Sequence, residues 1–92
     1  MMYPFMTLDD GTEIVHSEIL NIDGKEKVKV YIEKPIHLGF KSVQCYLPDY
    51  EWSNNDGFNE QEMDYYKEFI QSLAHIIIEL AREGGFDNAS NF

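Results

Sequence analysis

The stretch from Asn59 to Phe86, NEQEMDYYKEFIQSLAHIIIELAREGGF, is the longest run of the chain with a helical period. A helix of that length dictates what the other residues must supply, namely an apolar surface for it to lie on. Its start is clearly marked. Asn59 is a favoured N-cap, Glu62 falls three residues later where its carboxylate can reach the cap N–H, and Phe58 and Met63 have the spacing of a hydrophobic staple. Glu60, Glu62 and Asp64 put negative charge in the first turns, where the helix dipole favours it. At the other end Gly85 is read as the left-handed residue that stops the helix, with Phe86 folding back onto Leu80 or Ala81. The spacing predicts a helix over about residues 60–84 and a short polar tail over 86–92.

Stepped around a helical wheel, Tyr66, Phe69, Ile70, Leu73, Ile76, Ile77 and Leu80 form one broad apolar face centred on Leu73. Glu68, Gln71, Ser72, His75, Glu79 and Arg82 occupy the opposite side. Ile78 lies off the apolar face, flanked by Ala74 and Ala81. Ile70, Ala74, Ile77, Ile78 and Ala81 recur at spacings of three, four or seven, and small residues let a second helix approach closely, so this flank is the candidate seam for a partner.

Ahead of the helix the pattern changes to a period of two. Tyr3–Leu8 and Thr12–Leu20 flank the turn signal Asp9-Asp10-Gly11 and read as a hairpin, and Pro4 either places the first of these strands at an edge or makes it start late. In the second strand neither alternate set is wholly apolar, which leaves its inward face open. Asp23-Gly24 is the strongest hairpin signal and leads into Lys27–Lys34, where Val28, Val30 and Ile32 face inward. Pro35 is read as ending that strand, and Ile36-His37-Leu38-Gly39 as an apolar loop that packs down. Phe40–Leu47 follows with Val43, Cys45 and Leu47 on one face, and residues 48–58 read as a loop, with room for a short edge strand at Tyr50–Ser53. The expected fold is α+β in two layers: an antiparallel meander of about four strands over about residues 3–47, then one long C-terminal helix on one sheet face, in a single domain of residues 1–92. Tyr31 and Tyr46 fall on the uncovered face, among lysines.

The net charge of −10 disfavours direct contact with nucleic acid or with an anionic membrane. The charges are segregated along the chain. Five of the six lysines (Lys25, Lys27, Lys29, Lys34, Lys41) lie between residues 25 and 41, whereas Asp49, Glu51, Asp56, Glu60, Glu62, Asp64 and Glu68 crowd the segment 49–68. The one cysteine cannot form an internal disulfide, and the first eight residues lack the basic start and apolar run of a signal peptide; both point to a cytoplasmic protein. His16, His37 and His75 have no paired ligand spacing, and no phosphate-binding glycine loop, nucleophile elbow or zinc-protease motif occurs. The expectation is a non-enzymatic chain without metal or cofactor.

The segments MYPFMTLDDGTEIVHSEI, KVYIEKP, CYLPDYEW and AREGGFDNASNF resemble small acidic proteins of gut Firmicutes that carry no assigned function. The resemblance spans most of the chain and implies no catalytic or binding residue. From the residues themselves the leading expectation is a protein-interaction or regulatory module, homodimeric through the helix seam and the outer sheet face at Tyr31 and Tyr46, with itself or another protein as partner. The alternative, drawn from the acidic run, is a nucleic-acid-mimicking inhibitor of a DNA-binding protein.

Overall fold

In the computed structural model, which describes residues 2–84, six strands and one helix follow in order: β1 (Met2–Thr7), β2 (Glu13–Ser17), β3 (Leu20–Ile22), β4 (Lys25–Ile36), β5 (Gly39–Leu47), β6 (Glu51–Asp56) and α1 (Glu60–Glu83). All neighbours pair antiparallel, in the order β1-β2-β4-β5-β6 with β3 also on β4. The class is α+β, an open antiparallel sheet with one C-terminal helix, and the meander has more strands than the four the sequence suggests.

Both additions depend on contacts with neighbouring strands. The second predicted strand splits because Ser17 turns its hydroxyl into the ladder: Ser17 Oγ accepts the Lys29 N–H at 2.9 Å and donates to Glu18 O at 2.7 Å, so β2 ends there and β3 resumes at Leu20. β6 arises in the segment read mainly as a loop. Glu51–Asp56 has weak intrinsic strand preference, and it is the register with β5, Cys45 opposite Trp52 and Gln44 opposite Ser53, that extends it. Pro35 does not end β4; it pairs opposite Phe40, above the last rungs with β2 and β6, where a proline costs the sheet little. β1 is an edge strand, as Pro4 requires, and it carries a register shift between Pro4 and Met6.

The inward face of β2 is the set containing Ile14 and His16, which lie opposite Ile32 and Val30. Ile14, Val30, Ile32, Cys45 and Leu47 are fully buried together with Ile70 and Ile77 of α1. His16 is equally buried, between the rings of Tyr3 and Phe5 at 5.7 and 6.5 Å. Its Nδ1 lies 2.8 Å from Ser17 O, and its Nε2 meets no partner among the described residues.

The start of α1 follows the sequence signal. Asn59 Oδ1 accepts the Glu62 N–H at 2.8 Å and the Glu62 carboxylate accepts the Asn59 N–H at 3.0 Å, completing the capping box. Replacing Asn59 with alanine is expected to cost about 0.5–2 kcal/mol, read as a shift of the urea midpoint at unchanged slope. The stop differs by one residue: Gly84, at φ 82°, takes the left-handed position, and its N–H donates to Ala81 O. The expectations for Gly85, Phe86 and the tail lie outside the described residues.

The helix rests on the sheet by a stripe that shares Tyr66, Ile70, Ile77 and Leu80 with the expected face but is turned away from its centre. Its buried residues are Tyr66, Ile70, Ala74, Ile77, Leu80 and Ala81, a face rotated by roughly 45° from Leu73 at 100° per residue. Phe69 and Leu73 are only half-buried and Ile76 is exposed. The large apolar residues weight the wheel toward Leu73, whereas the small Ala74 and Ala81 are among the buried residues.

Candidate functional site

The rotation decides where the residues of the candidate seam lie. Ile70, Ala74, Ile77 and Ala81 are in the core cluster against the sheet, and Ile78 packs on its margin, beside a small cavity of about 180 Å³ lined also by Ile19, Val28 and Leu47. The seam is occupied by the protein's own strands, so it offers no surface to a second helix. Tyr31 and Tyr46 do lie on the sheet face away from α1; both are half-buried, Tyr31 opposite Gln44 with its hydroxyl donating to Glu33 at 3.3 Å, Tyr46 opposite Lys29.

Charge segregation along the chain turns into compensation in space. Lys27, on the outer face, reaches Asp49 at 3.0 Å and Glu51 at 2.8 Å. Lys34 and Lys41, paired on the helix side, converge on Glu62 at 3.8 and 3.1 Å, and Lys34 also reaches Asp10 at 3.5 Å. The acidic run therefore divides between two faces of the sheet, with Asp49, Glu51 and Glu62 already engaged by lysines.

The ion cluster at the N-terminal end of α1 borders a concavity. An open groove of about 600 Å³ runs between the β1–β2 turn and the first turns of the helix. Leu8, Tyr65 and Tyr66 supply its apolar wall, and Asp9, Asp10, Lys34 and Glu62 its charge. The Tyr66 hydroxyl is 3.5 Å from Thr12 Oγ1, and the Tyr65 ring, about half exposed, stacks on Phe69 at 5.9 Å.

Asp10 and Glu62 are held below the ordinary carboxyl values of 3.8 and 4.5, Asp10 by the hydroxyl and N–H of Thr12 and then by Lys34, Glu62 by the Asn59 N–H and then by Lys41. Lys27 does the same to Asp49 on the outer face. A carboxyl whose folded value is depressed binds fewer protons in the native than in the unfolded chain, so its contribution is complete above the unfolded value and lost as the pH falls through the folded one. The melting temperature is expected to be flat from pH 7 down to about 5.5, then to fall below about 4.5, with a shallower fall in Glu62→Gln. Thermal melts by circular dichroism across that range provide the check; identical acid profiles for wild type and variant would deny Glu62 this role.

Beyond the groove the β4–β5 hairpin projects. Glu33 is the last residue of β4 opposite β2 and Ser42 the first of β5 opposite β6, so Lys34–Lys41, Pro35–Phe40 and Ile36–Gly39 pair only with each other. At about 3.3 Å per residue the tip stands roughly 10 Å past the sheet. Its base is braced by two turns: a Cβ on Gly11 would meet Pro35 at 3.3 Å and one on Gly57 would meet Lys41 at 3.0 Å. The tip is apolar and open. Ile36 is 44%, Phe40 60% and Leu38 93% exposed, with Leu38 in the left-handed region at φ 65°. The expected packed-down loop is thus an exposed ribbon tip. The sequence signal that could have found it is the symmetry of KPIHLGFK, two lysines framing apolar residues about a His-Leu turn that lacks the usual Asn or Gly.

Cys45 is buried at the centre of the sheet, and burial, aided by the charge of Glu51, pushes its thiol up to about 12. Among the described residues no three His, Cys, Asp or Glu side chains converge as a metal ion would require, and no helix is long and apolar enough to cross a membrane. Comparison with protein-family models, with curated proteins and with solved structures gives no match.

Proposed function

We propose that this chain is a non-enzymatic protein-interaction module whose contact element is the tip of the β4–β5 hairpin. The observation that carries the reading is Leu38: an aliphatic side chain at 93% exposure, on a backbone conformation that β-carbon-bearing residues seldom adopt. Among the described residues neither the strain nor the exposure is offset by packing, and Ile36 and Phe40 flank Leu38 on opposite faces of the ribbon. Apolar side chains exposed singly need no explanation, but three gathered at the end of one projecting ribbon favour a contact element. The outer sheet face is a weaker candidate, because Tyr31 and Tyr46 are half-covered by neighbouring strands and lysines. The nucleic-acid-mimicking alternative has less support still, since duplex phosphates lie about one per 1.7 Å of axis and acids divided between two sheet faces do not reproduce such an array.

A photoreactive amino acid at position 38, compared with one at the exposed helix position Gln71, tests the reading in living cells. Crosslinks to protein are expected at position 38 and not at position 71. Equal yields at the two positions would refute the assignment of the tip.

A further inference from the structure

We infer that the partner of the tip is a second copy of this chain, each copy laying its β4–β5 tip into the other's groove about a two-fold axis. The inference rests on the reading of the tip as a contact element and adds the occupant. Tip and groove are adjacent on one molecule: Ile36 lies two residues beyond Lys34 on the helix-facing side of β4, and Lys34 lines the groove. A projection beside a concavity is self-complementary under two-fold rotation, the geometry of an isologous dimer, because each copy gives what it receives. Opposite Ile36 stands Gly39, with open space where a side chain would be, so the helix-facing side of the ribbon is flat enough to be covered.

Charge selects this pairing over a helix-to-helix one. The half-exposed shoulder of α1 at Phe69, Leu73 and Ile76 is apolar too, but Glu68, Glu79 and Glu83 flank it, and a second copy would set acids against acids on chains of net charge −10. Residues 35–40, PIHLGF, carry no acid, so the tip enters a groove holding Asp9, Asp10 and Glu62 without adding like charge. The apolar wall it would meet is Leu8 and Tyr65. Two-fold symmetry makes the tip-in-groove contact twice, so each contact has to supply only half of the roughly 1,000 Å² that specific interfaces need.

The test is the mass of the purified chain by sedimentation velocity from micromolar to submillimolar concentration, with three variants at exposed positions whose melting curves should match wild type. Wild type is expected to be a monomer–dimer equilibrium. Leu38→Glu in the tip and Tyr65→Glu in the groove should each raise the dissociation constant at least tenfold, and Ile76→Glu on the helix shoulder should leave it unchanged. Mixing Leu38→Glu with Tyr65→Glu restores one intact tip-in-groove contact per dimer, so the mixture should associate more tightly than either variant alone. A wild-type monomer throughout, a dimer indifferent to Leu38→Glu, or a mixture no tighter than its parts would each overturn the inference. A monomer that still crosslinks another protein through position 38 would leave the tip as the contact element and refute only the second copy as its occupant.

Discussion

Replacing Ile77 with alanine is expected to lower the unfolding free energy by about 2–5 kcal/mol. Ile77 has no exposed surface and sits in the core cluster with Ile70, Ala74 and Ala81, against strands β2, β4 and β5. Removing three carbons there forfeits their transfer out of water and leaves a cavity that the sheet, held by its ladders, cannot collapse to fill. Urea unfolding gives the number as a lower midpoint at constant slope. A surface isoleucine would change stability by no more than about 0.5 kcal/mol, so a small loss would return Ile77 to the free seam suggested by its spacing and displace the helix rotation described above.

The second large effect belongs to Phe58→Ala, expected to cost about 3–5 kcal/mol. Phe58 precedes the N-cap and is 6% exposed, its ring edge-on to Tyr66 with centroids 5.0 Å apart. Its backbone is gripped on both sides by one amide: Asn55 Oδ1 accepts the Phe58 N–H at 3.1 Å and Asn55 Nδ2 donates to Phe58 O at 3.0 Å. The ring is therefore delivered to the core by β6 and received by α1, which makes it the hinge pin between sheet and helix. A double-mutant cycle with Tyr66→Leu should show a coupling of about 0.5–1.5 kcal/mol for the aromatic pair. Strict additivity would mean that the two rings do not act together.

What the sequence made legible was local. The capping box needs only residues three apart, and it is present atom for atom at Asn59 and Glu62. The inward sets Val28, Val30, Ile32 and Val43, Cys45, Leu47 could be read because those strands alternate cleanly, and the fold class followed from them. Where two partners had to be known at once, the pattern was silent. The wheel of α1 has an apolar arc wider than the sheet can cover, and only the sheet determines which part of it is buried. The strand character of Glu51–Asp56 is conferred by β5, and the break at Ser17 depends on Lys29, twelve residues away. The tip escaped for the same reason. Apolar residues between two strands imply burial until the end of the flanking strands is known, and that end is set by where β2 and β6 stop.

The placement of Cys45 has an experimental use. The thiol lies between Val30 and Trp52 in the rung at the middle of the sheet, fully enclosed and shifted far from ionisation. An alkylating reagent reacts with thiolate, so in the native state it can modify this chain only during excursions that open the core layer between the sheet and α1. Since the sequence holds a single cysteine, the labelling signal carries no background from a second site. The rate of labelling as a function of denaturant would then distinguish a limited lifting of α1 from the sheet, which has a partial dependence on denaturant, from opening of the whole domain, which has the full one. The chain carries, at a fully buried point, a clock for its own native-state openings.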